Sequence, residues 1–381
     1  MYAIVLLQGM VFYGPKATLY RQANGITVFQ ITLIESISYL LCILFEVPWG
    51  IIADKIGYRK TMVFCCGLYL ASKIVFWRAD GFFDFLLERI MLSVVIAGLS
   101  GVDTSILYLS CGEGESQKVF GVYNSLGLIG LLFASYIFSA FVGTNYSAAA
   151  FLTVVSYGIA AVLSLFLDEV KSAENQAVRF SDLKAVFTRI VKDRKFILFL
   201  ISVAFLSQTH QTITVFFNQI QYEKCGMYAS TIGYVYIVVT LAGLFGVFSA
   251  KLTRALGEKS TGIALQIVSI ASCVVLGFTN TAPVSVLGVL LLSVIDSLYQ
   301  PYQTELQNRH VLSTNRATEL SVYAMVVNCV SAGTSVLFGT LAGVNLKTAF
   351  FFAAGICSAG LLLFCIWYKN KKYRTDNKQK N

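Results

Sequence analysis

Five ionisable residues stand inside long apolar runs of this chain: Glu35, Lys73, Arg89, Asp103 and Asp296. A charge on a membrane-buried helix is costly, so such residues face a cavity, a partner or a transported ion. Glu35, Lys73 and Arg89 fall by residue count in the outer half of their runs. An acid–base cluster there serves either as a structural ion pair or as a coupling group. Asp103, flanked by Thr104 and Ser105, lies toward the inner half of its run and is expected to partner an inner gate. Asp296 stands near the middle of Ser293-Val-Ile-Asp296-Ser297-Leu-Tyr299-Gln300-Pro301 with no evident basic partner in its own half. A solitary carboxylate is hard to keep ionised when buried. It reads as a proton carrier or cation-recognition group, against the plainer reading of a hydrogen-bonded structural acid.

Uncharged polar residues add a second layer. The first run carries Gln8 and Tyr13, with Pro15 and Lys16, and the seventh carries Gln208, Thr209, His210, Gln211, Thr214, Phe217 and Asn218. Amides beside aromatic rings suit an amphipathic organic solute. His210 is either a hydrogen-bonded helix residue or a proton switch.

The elements that position these residues follow from composition. The 381 residues are 56% hydrophobic and only 13% charged, against roughly 25% charged in a soluble domain. At about 20 residues per crossing, the apolar runs predict twelve helices. Helices 1 to 6 are expected near Tyr2–Tyr20, Val28–Ala53, Thr61–Trp77, Phe83–Ser110, Val119–Val142 and Ser147–Leu167. Helices 7 to 12 are expected near Phe196–Ile220, Thr231–Leu252, Gly262–Phe278, Val284–Leu306, Ala317–Val344 and Thr348–Tyr368. The longest polar interruption, 168–195, carries Val178, Phe180, Leu183, Val186, Phe187 and Ile190 at helical spacing, as a surface-lying amphipathic helix would. The expected fold is an all-α polytopic membrane protein, two six-helix bundles with pseudo-two-fold symmetry. Residues 1–167 form the first bundle, 168–195 a cytoplasmic linker, 196–368 the second bundle and 369–381 a basic cytoplasmic tail. Two such bundles rock about a central site.

The net charge of +9 is explained by placement. Most Lys and Arg fall in alternate loops, while the opposite loops carry mainly Lys16, Arg21, Arg78, Lys224 and Lys347. This asymmetry places both termini in the cytoplasm, in a multi-pass protein expected in the plasma membrane. Basic residues split among loops without aromatic interleaving argue against nucleic-acid binding. The cysteines sit mostly in apolar runs with no CxxC, and only two histidines exist, His210 and His310, so neither a metal site nor any other cofactor is expected. Met1 opens almost directly into the first run, which argues against a cleaved signal peptide. No H-E-x-x-H, G-x-S-x-G or P-loop is present, so an enzyme or an ATP-driven pump is not expected.

Between helices 2 and 3 lies a charged hairpin, Gly50-Ile-Ile-Ala-Asp54-Lys55-Ile-Gly57-Tyr-Arg59-Lys60, preceded by Glu46-Val-Pro48-Trp. A degenerate echo follows helix 8, with Gly257 and Lys259 standing where Gly57 and Arg59 stand. The hairpin resembles the gate loop of the major facilitator superfamily, G-x-x-x-D-x-x-G-x-[RK]-[RK], matched here by Gly50, Asp54, Gly57, Arg59 and Lys60. The resemblance implies that Asp54 faces the N-terminal end of helix 11, supplied here by Ser313-Thr314-Asn315, and holds an outward-facing state. Within the family, the first half looks like a bacterial branch of drug-efflux-like or uncharacterised members. Two departures stand out: Ser93 replaces the glycine of the R-x-x-x-G pattern begun by Arg89, and helix 5 lacks the Gly-Pro pair of many antiporters. The resemblance implies a monomeric secondary transporter in the lipid bilayer, moving a small organic solute by alternating access with protons as the coupling ion. Efflux is favoured, with uptake symport of a metabolite as the alternative; a membrane-embedded receptor or enzyme is the reading of another class.

Overall fold

A computed structural model describes residues 1–99, 102–110, 116–143, 145–169, 188, 190, 193–311 and 316–378. Within its helices, the side chains of 46, 47, 50, 51, 53–55, 104, 108, 116–118, 316–318 and 370–378 are outside the described set. The expected linker helix lies almost wholly outside the described residues, as do Gly101, Ser313, Thr314, Asn315 and the Asp54 side chain. The described chain is helical throughout, because each long apolar run must satisfy its own backbone N–H and C=O groups in hydrocarbon.

In the first half, helix 2 spans Val28–Ile56 and helix 3 Tyr58–Arg78, and helix 4 is described over Phe82–Leu99 and Val102–Ser110. Helix 5 runs Ser116–Ile137 and ends in a π turn, Phe138–Val142, and helix 6 runs Tyr146–Ser164, capped by the Asn145 side chain on Ala148 N at 3.0 Å. In the second half, helix 7 runs Arg194–Gln211, a π segment Thr212–Phe217 and then Asn218–Lys224. Helix 8 joins Ala229–Leu241, a 3-10 stretch Ala242–Phe248 and Ser249–Leu256. Helices 9 to 12 are Glu258–Phe278, Ala282–His310, Arg316–Val344 and Leu346–Lys378. The last is longer than expected, since the basic tail continues the helix through Lys378.

Helix 1 is broken. It consists of Tyr2–Gly9, a 3-10 turn Gly14–Lys16 and Ala17–Ala23. Helix 6 takes up the loosened backbone: the Thr153 hydroxyl accepts from Phe12 N at 3.0 Å, Tyr157 donates to Gln8 O at 2.6 Å and Ser156 to Leu7 O at 2.5 Å. Against helix 5 the approach is backbone to backbone. A Cβ on Gly9 would collide with the Gly127 carbonyl, and one on Gly130 with the Leu6 carbonyl, the close contact that small residues permit between membrane helices.

Among the described residues, ten helices are long and apolar enough to cross a membrane. Helix 1 is divided, and helix 4 is described only in part, since residues 100 and 101 lie outside the described set. Large apolar side chains such as Leu44, Phe141, Phe166 and Val247 point outward, which suits lipid and not water. The protein is a multi-pass membrane protein. Its chain forms two compact units, one of 1–178 with 228–237 and the other of 179–227 with 238–381.

The charged hairpin is tighter than the sequence suggests. Residues 50–56 are the last two turns of helix 2, and the chain reverses at Gly57 alone, with φ 93° and ψ 152°. Gly257 adopts φ 81° and ψ 155° at the start of helix 9. Only glycine enters this region without strain. In both turns a threonine four residues on returns its hydroxyl to the glycine carbonyl, Thr61 to Gly57 and Thr261 to Gly257, each at 2.9 Å. The echo is therefore a repeated local structure, G-x-x-x-T, in the two units.

The two glycines differ in their surroundings. A Cβ on Gly57 would stand 2.7 Å from Glu169 Oε1, whereas one on Gly257 meets nothing within 4 Å. Both Gly57→Ala and Gly257→Ala should lose about 1–3 kcal/mol to backbone strain, in similar amounts, because Glu169 is exposed and its carboxylate can swing aside. Melting temperatures of the purified protein in detergent check this. Glu169→Ala should leave the loss at Gly57 unchanged; a loss at Gly57 well above that at Gly257 would refute the account.

Candidate functional site

In the first unit the intramembrane charges gather around helices 1 to 4. Arg89 of helix 4 meets Glu35 of helix 2 at 2.6 Å. Glu88, which the sequence reading passed over, lies between two cations, Lys73 at 3.9 Å and Arg21 at 3.8 Å. Its position beside Arg89 in the run Phe82–Leu99 was the available signal. Lys73 also donates to the Tyr13 hydroxyl at 3.0 Å and lies 5.2–5.7 Å from the ring centres of Tyr13, Tyr69 and Tyr157. Arg21 sits over Phe76 and Phe85, and Tyr13 stacks on Phe76 at 4.0 Å. Burying these cations is tolerable because carboxylates and ring faces replace water.

Two assignments change here. Lys16 and Arg21, read as loop charges, belong to helix 1 and are buried, with 4% and 9% of their surface exposed; Lys16 donates to the Tyr146 hydroxyl at 3.3 Å. Ser93, the departure from the family's glycine, is hydrogen-bonded to Ser38 of helix 2 at 2.8 Å. Asp103 accepts from Tyr123 of helix 5 at 3.3 Å. Gln8 donates to Cys66 Sγ at 3.4 Å.

At the gate motif, Gly50 and Asp54 lie on helical backbone and Lys60 is exposed. Arg59 donates to the Leu165 carbonyl at 2.9 Å, and its own N–H to Glu169 at 3.4 Å. Glu169, also unmarked by the sequence reading, brings a negative charge to the first turn of helix 3, where the helix dipole favours it.

In the second unit an imidazole and a carboxylate meet within two spanning helices. His210 of helix 7 is 1% exposed. Its Nδ1 lies 3.1 Å from Asp296 Oδ1 of helix 10, and its Nε2 lies 3.0 Å from the Ser269 hydroxyl of helix 9. Asp296 is thus not solitary, as its sequence neighbourhood suggested. The partner sits 86 positions away in the chain, beyond the reach of local pattern. Gln300 donates to the same carboxylate oxygen at 3.4 Å, and Gln303 donates to Gln300 Oε1 at 2.7 Å.

Other candidates on helix 7 are not drawn into this group. Gln208 donates to Thr212 at 3.0 Å, Asn218 donates to Thr214 O at 2.7 Å, and Gln211 is half-buried. The Gln208 Oε1, Gln303 Oε1 and Tyr299 hydroxyl atoms are buried without a hydrogen-bond partner. At the end of helices 8 and 10 a cavity of ≈ 480 Å³ is lined by Thr253, Arg254, Glu258, Tyr302, Glu305 and Arg309. Arg309 bridges Glu305 at 2.7 Å and Glu258 at 3.2 Å there. Among the described residues, no three His, Cys, Asp or Glu side chains come together to hold a metal ion.

Comparison with known proteins bears on this arrangement. The sequence pattern of the Major Facilitator Superfamily matches residues 1–312. The L-fucose-proton symporter of Escherichia coli (strain K12) is 29% identical over 86 residues, 23% of this chain and 20% of the symporter. The chain therefore aligns with only a fifth of that relative's length. A crystal structure of a mutant of the nucleoside transporter NupG superposes with a TM-score of 0.84 at 14% identity, covering 96% of this chain and 98% of that one. A POT family transporter in complex with 5-aminolevulinic acid gives a TM-score of 0.74 at 12% identity, covering 96% and 94%. At these identities the likeness is one of fold.

The first-unit cluster makes a stability prediction. Glu88 is 1% exposed and answers two cations, so Glu88→Gln should cost about 3–5 kcal/mol, as removal of one member of a buried pair does. Adding Lys73→Met should recover part of that loss. Thermal unfolding in lipid nanodiscs tests the pair, and additive losses in the double variant would contradict the interaction.

Proposed function

The chain belongs to the Major Facilitator Superfamily, and from that premise we propose that it carries a small, uncharged, polar organic solute across the membrane by alternating access, coupled to protons. A member of this family is a membrane transporter and not an enzyme. The observation that carries the coupling is the His210–Asp296 pair, an acid and a base 3.1 Å apart within two membrane helices. Imidazole is the side chain whose charge changes near physiological pH, and intramembrane acids and histidines serve as proton relays.

The uncharged character of the solute rests on pairing. Lys73 and Arg89, the cations that would receive an anionic solute, are answered by Glu88 and Glu35. Among the described residues of the second unit the buried polar atoms without a partner are neutral, and they include the amide oxygens of Gln208 and Gln303 and the hydroxyl of Tyr299. Such groups bond hydroxyls and amides of a ligand. The gate motif and the two units supply the parts for rocking motion.

Efflux by antiport is the direction the sequence favours. Uptake by symport is the second reading, favoured by the similarity to a protein described as an L-fucose-proton symporter.

Proteoliposomes without an imposed gradient, in weak buffer, separate the two. Addition of a transported sugar or nucleoside should make the medium more alkaline for symport and more acidic for antiport. His210→Gln and Asp296→Asn should each abolish the pH change while exchange of labelled solute persists. A pH change retained in both variants would overturn the assignment of coupling to this pair.

A further inference from the structure

We propose that the coupling proton resides on Nε2 of His210 and that Ser269 is the positioning residue that holds it there. This rests on the proton-coupled reading above and assigns the site of the proton within it.

The argument is one of hydrogen bookkeeping. An ionised carboxylate only accepts hydrogen bonds. Asp296 Oδ1 faces both His210 Nδ1 at 3.1 Å and the Gln300 amide nitrogen at 3.4 Å, an arrangement made for an oxygen that accepts twice. The Gln300 amide is fixed in that orientation because its oxygen accepts from Gln303 at 2.7 Å. Nδ1 therefore carries a hydrogen in either state of the ring.

Nε2 is where the states differ. The Ser269 hydroxyl has a single hydrogen and two neighbours, the Leu265 carbonyl at 3.0 Å on its own helix and His210 Nε2 at 3.0 Å. With the hydrogen turned to Leu265, the hydroxyl oxygen presents a lone pair to the ring, and Nε2 must donate: His210 is an imidazolium. With the hydrogen turned to the ring, Nε2 is bare and accepts. The Leu265 carbonyl tolerates either arrangement, since such back-bonding to i−4 is optional in a helix. One rotation of one hydroxyl thus accompanies the gain or loss of one proton, and no ring movement is required.

No other charged group meets the ring among the described residues. Helix 10 presents Asp296 with Gln300 behind it, and helix 9 presents Ser269. On helix 7 itself, Thr214 donates to the His210 carbonyl at 2.8 Å, just inside the π segment. Cys357 of helix 12 donates to Thr209 at 3.4 Å. Ser269 is fully buried, which keeps water from substituting for its hydroxyl.

Two measurements on the full-length protein in liposomes test this. In the first, the pH profile of proton-coupled solute movement is compared between wild type, Ser269→Ala and Ser269→Thr. The hydroxyl bonds the ring in both states and its bond to the charged ring is the stronger, so the profile of Ser269→Ala should move to lower pH by up to about one unit. Ser269→Thr, which keeps the hydroxyl, should restore the wild-type profile. Melting temperatures identify a variant that has merely unfolded.

The second is nitrogen NMR of isotope-labelled histidine, which needs no solute. The chain has only two histidines, and His310→Gln leaves the signals of His210 alone. Nδ1 should stay protonated across the titration while Nε2 gains and loses its proton. A titrating Nδ1, a ring that never titrates, or a Ser269→Ala profile equal to wild type would overturn the proposal. Normal coupled transport with a silent Nε2 would refute this inference alone. A titrating Nε2 without proton movement on addition of any solute would refute the coupling reading and leave the proton site standing.

Discussion

Hydrocarbon offers no hydrogen bonds, and the rest of this structure follows from that. Each apolar run must close its own backbone bonds as a helix, and each departure from a helix must be repaired by a neighbour. The break in helix 1 is possible because Thr153, Ser156 and Tyr157 of helix 6 bond the freed backbone groups. The same constraint explains the glycines at the crossing of helices 1 and 5, where the backbones meet directly.

Charge obeys the same rule by different means in the two units. In the first, Lys73, Arg21 and Arg89 are enclosed by two glutamates and by aromatic faces. Lys73, Arg21 and Arg89 meet carboxylates there and Lys16 a tyrosine hydroxyl, which suits a rigid body more than a site of chemistry. In the second, one imidazole meets one carboxylate and one hydroxyl, so a single proton changes the balance. Counting from Gly57 and Gly257, Cys273 stands where Lys73 does, and Ile96 stands where Asp296 does. The repeat keeps its backbone while the two copies carry different polar groups.

That shared backbone extends beyond the hairpin. Helices 3 and 9 each have 21 residues and follow a glycine of the same conformation. Helices 1 and 7 both leave regular α-helix partway, helix 1 by a break and helix 7 by a π segment, and each ends in a seven-residue helical piece. Irregular turns of this kind in membrane helices tend to mark functional positions. His210 stands two residues before the irregular stretch of helix 7, and Tyr13 stands within that of helix 1.

Much of this was legible in the sequence. Hydropathy alone marks the helices, since a run of apolar residues long enough to span a bilayer has few other fates. The spaced residues of the hairpin point to the family, and the costliness of buried charge singles out Glu35, Lys73, Arg89 and Asp296. What the sequence could not supply is partnership. Which face of each helix turns inward is set by packing among helices far apart in the chain, so Asp296 looked solitary until folding placed His210 beside it. Glu88 and Glu169 acquired their roles in the same way, one between two distant cations and the other against Gly57. Sequence determined which segments enter the membrane and which charges go with them, because transfer free energy is a local, additive property. The tertiary structure decided which charges meet, because helix rotation and crossing depend on the whole packed bundle.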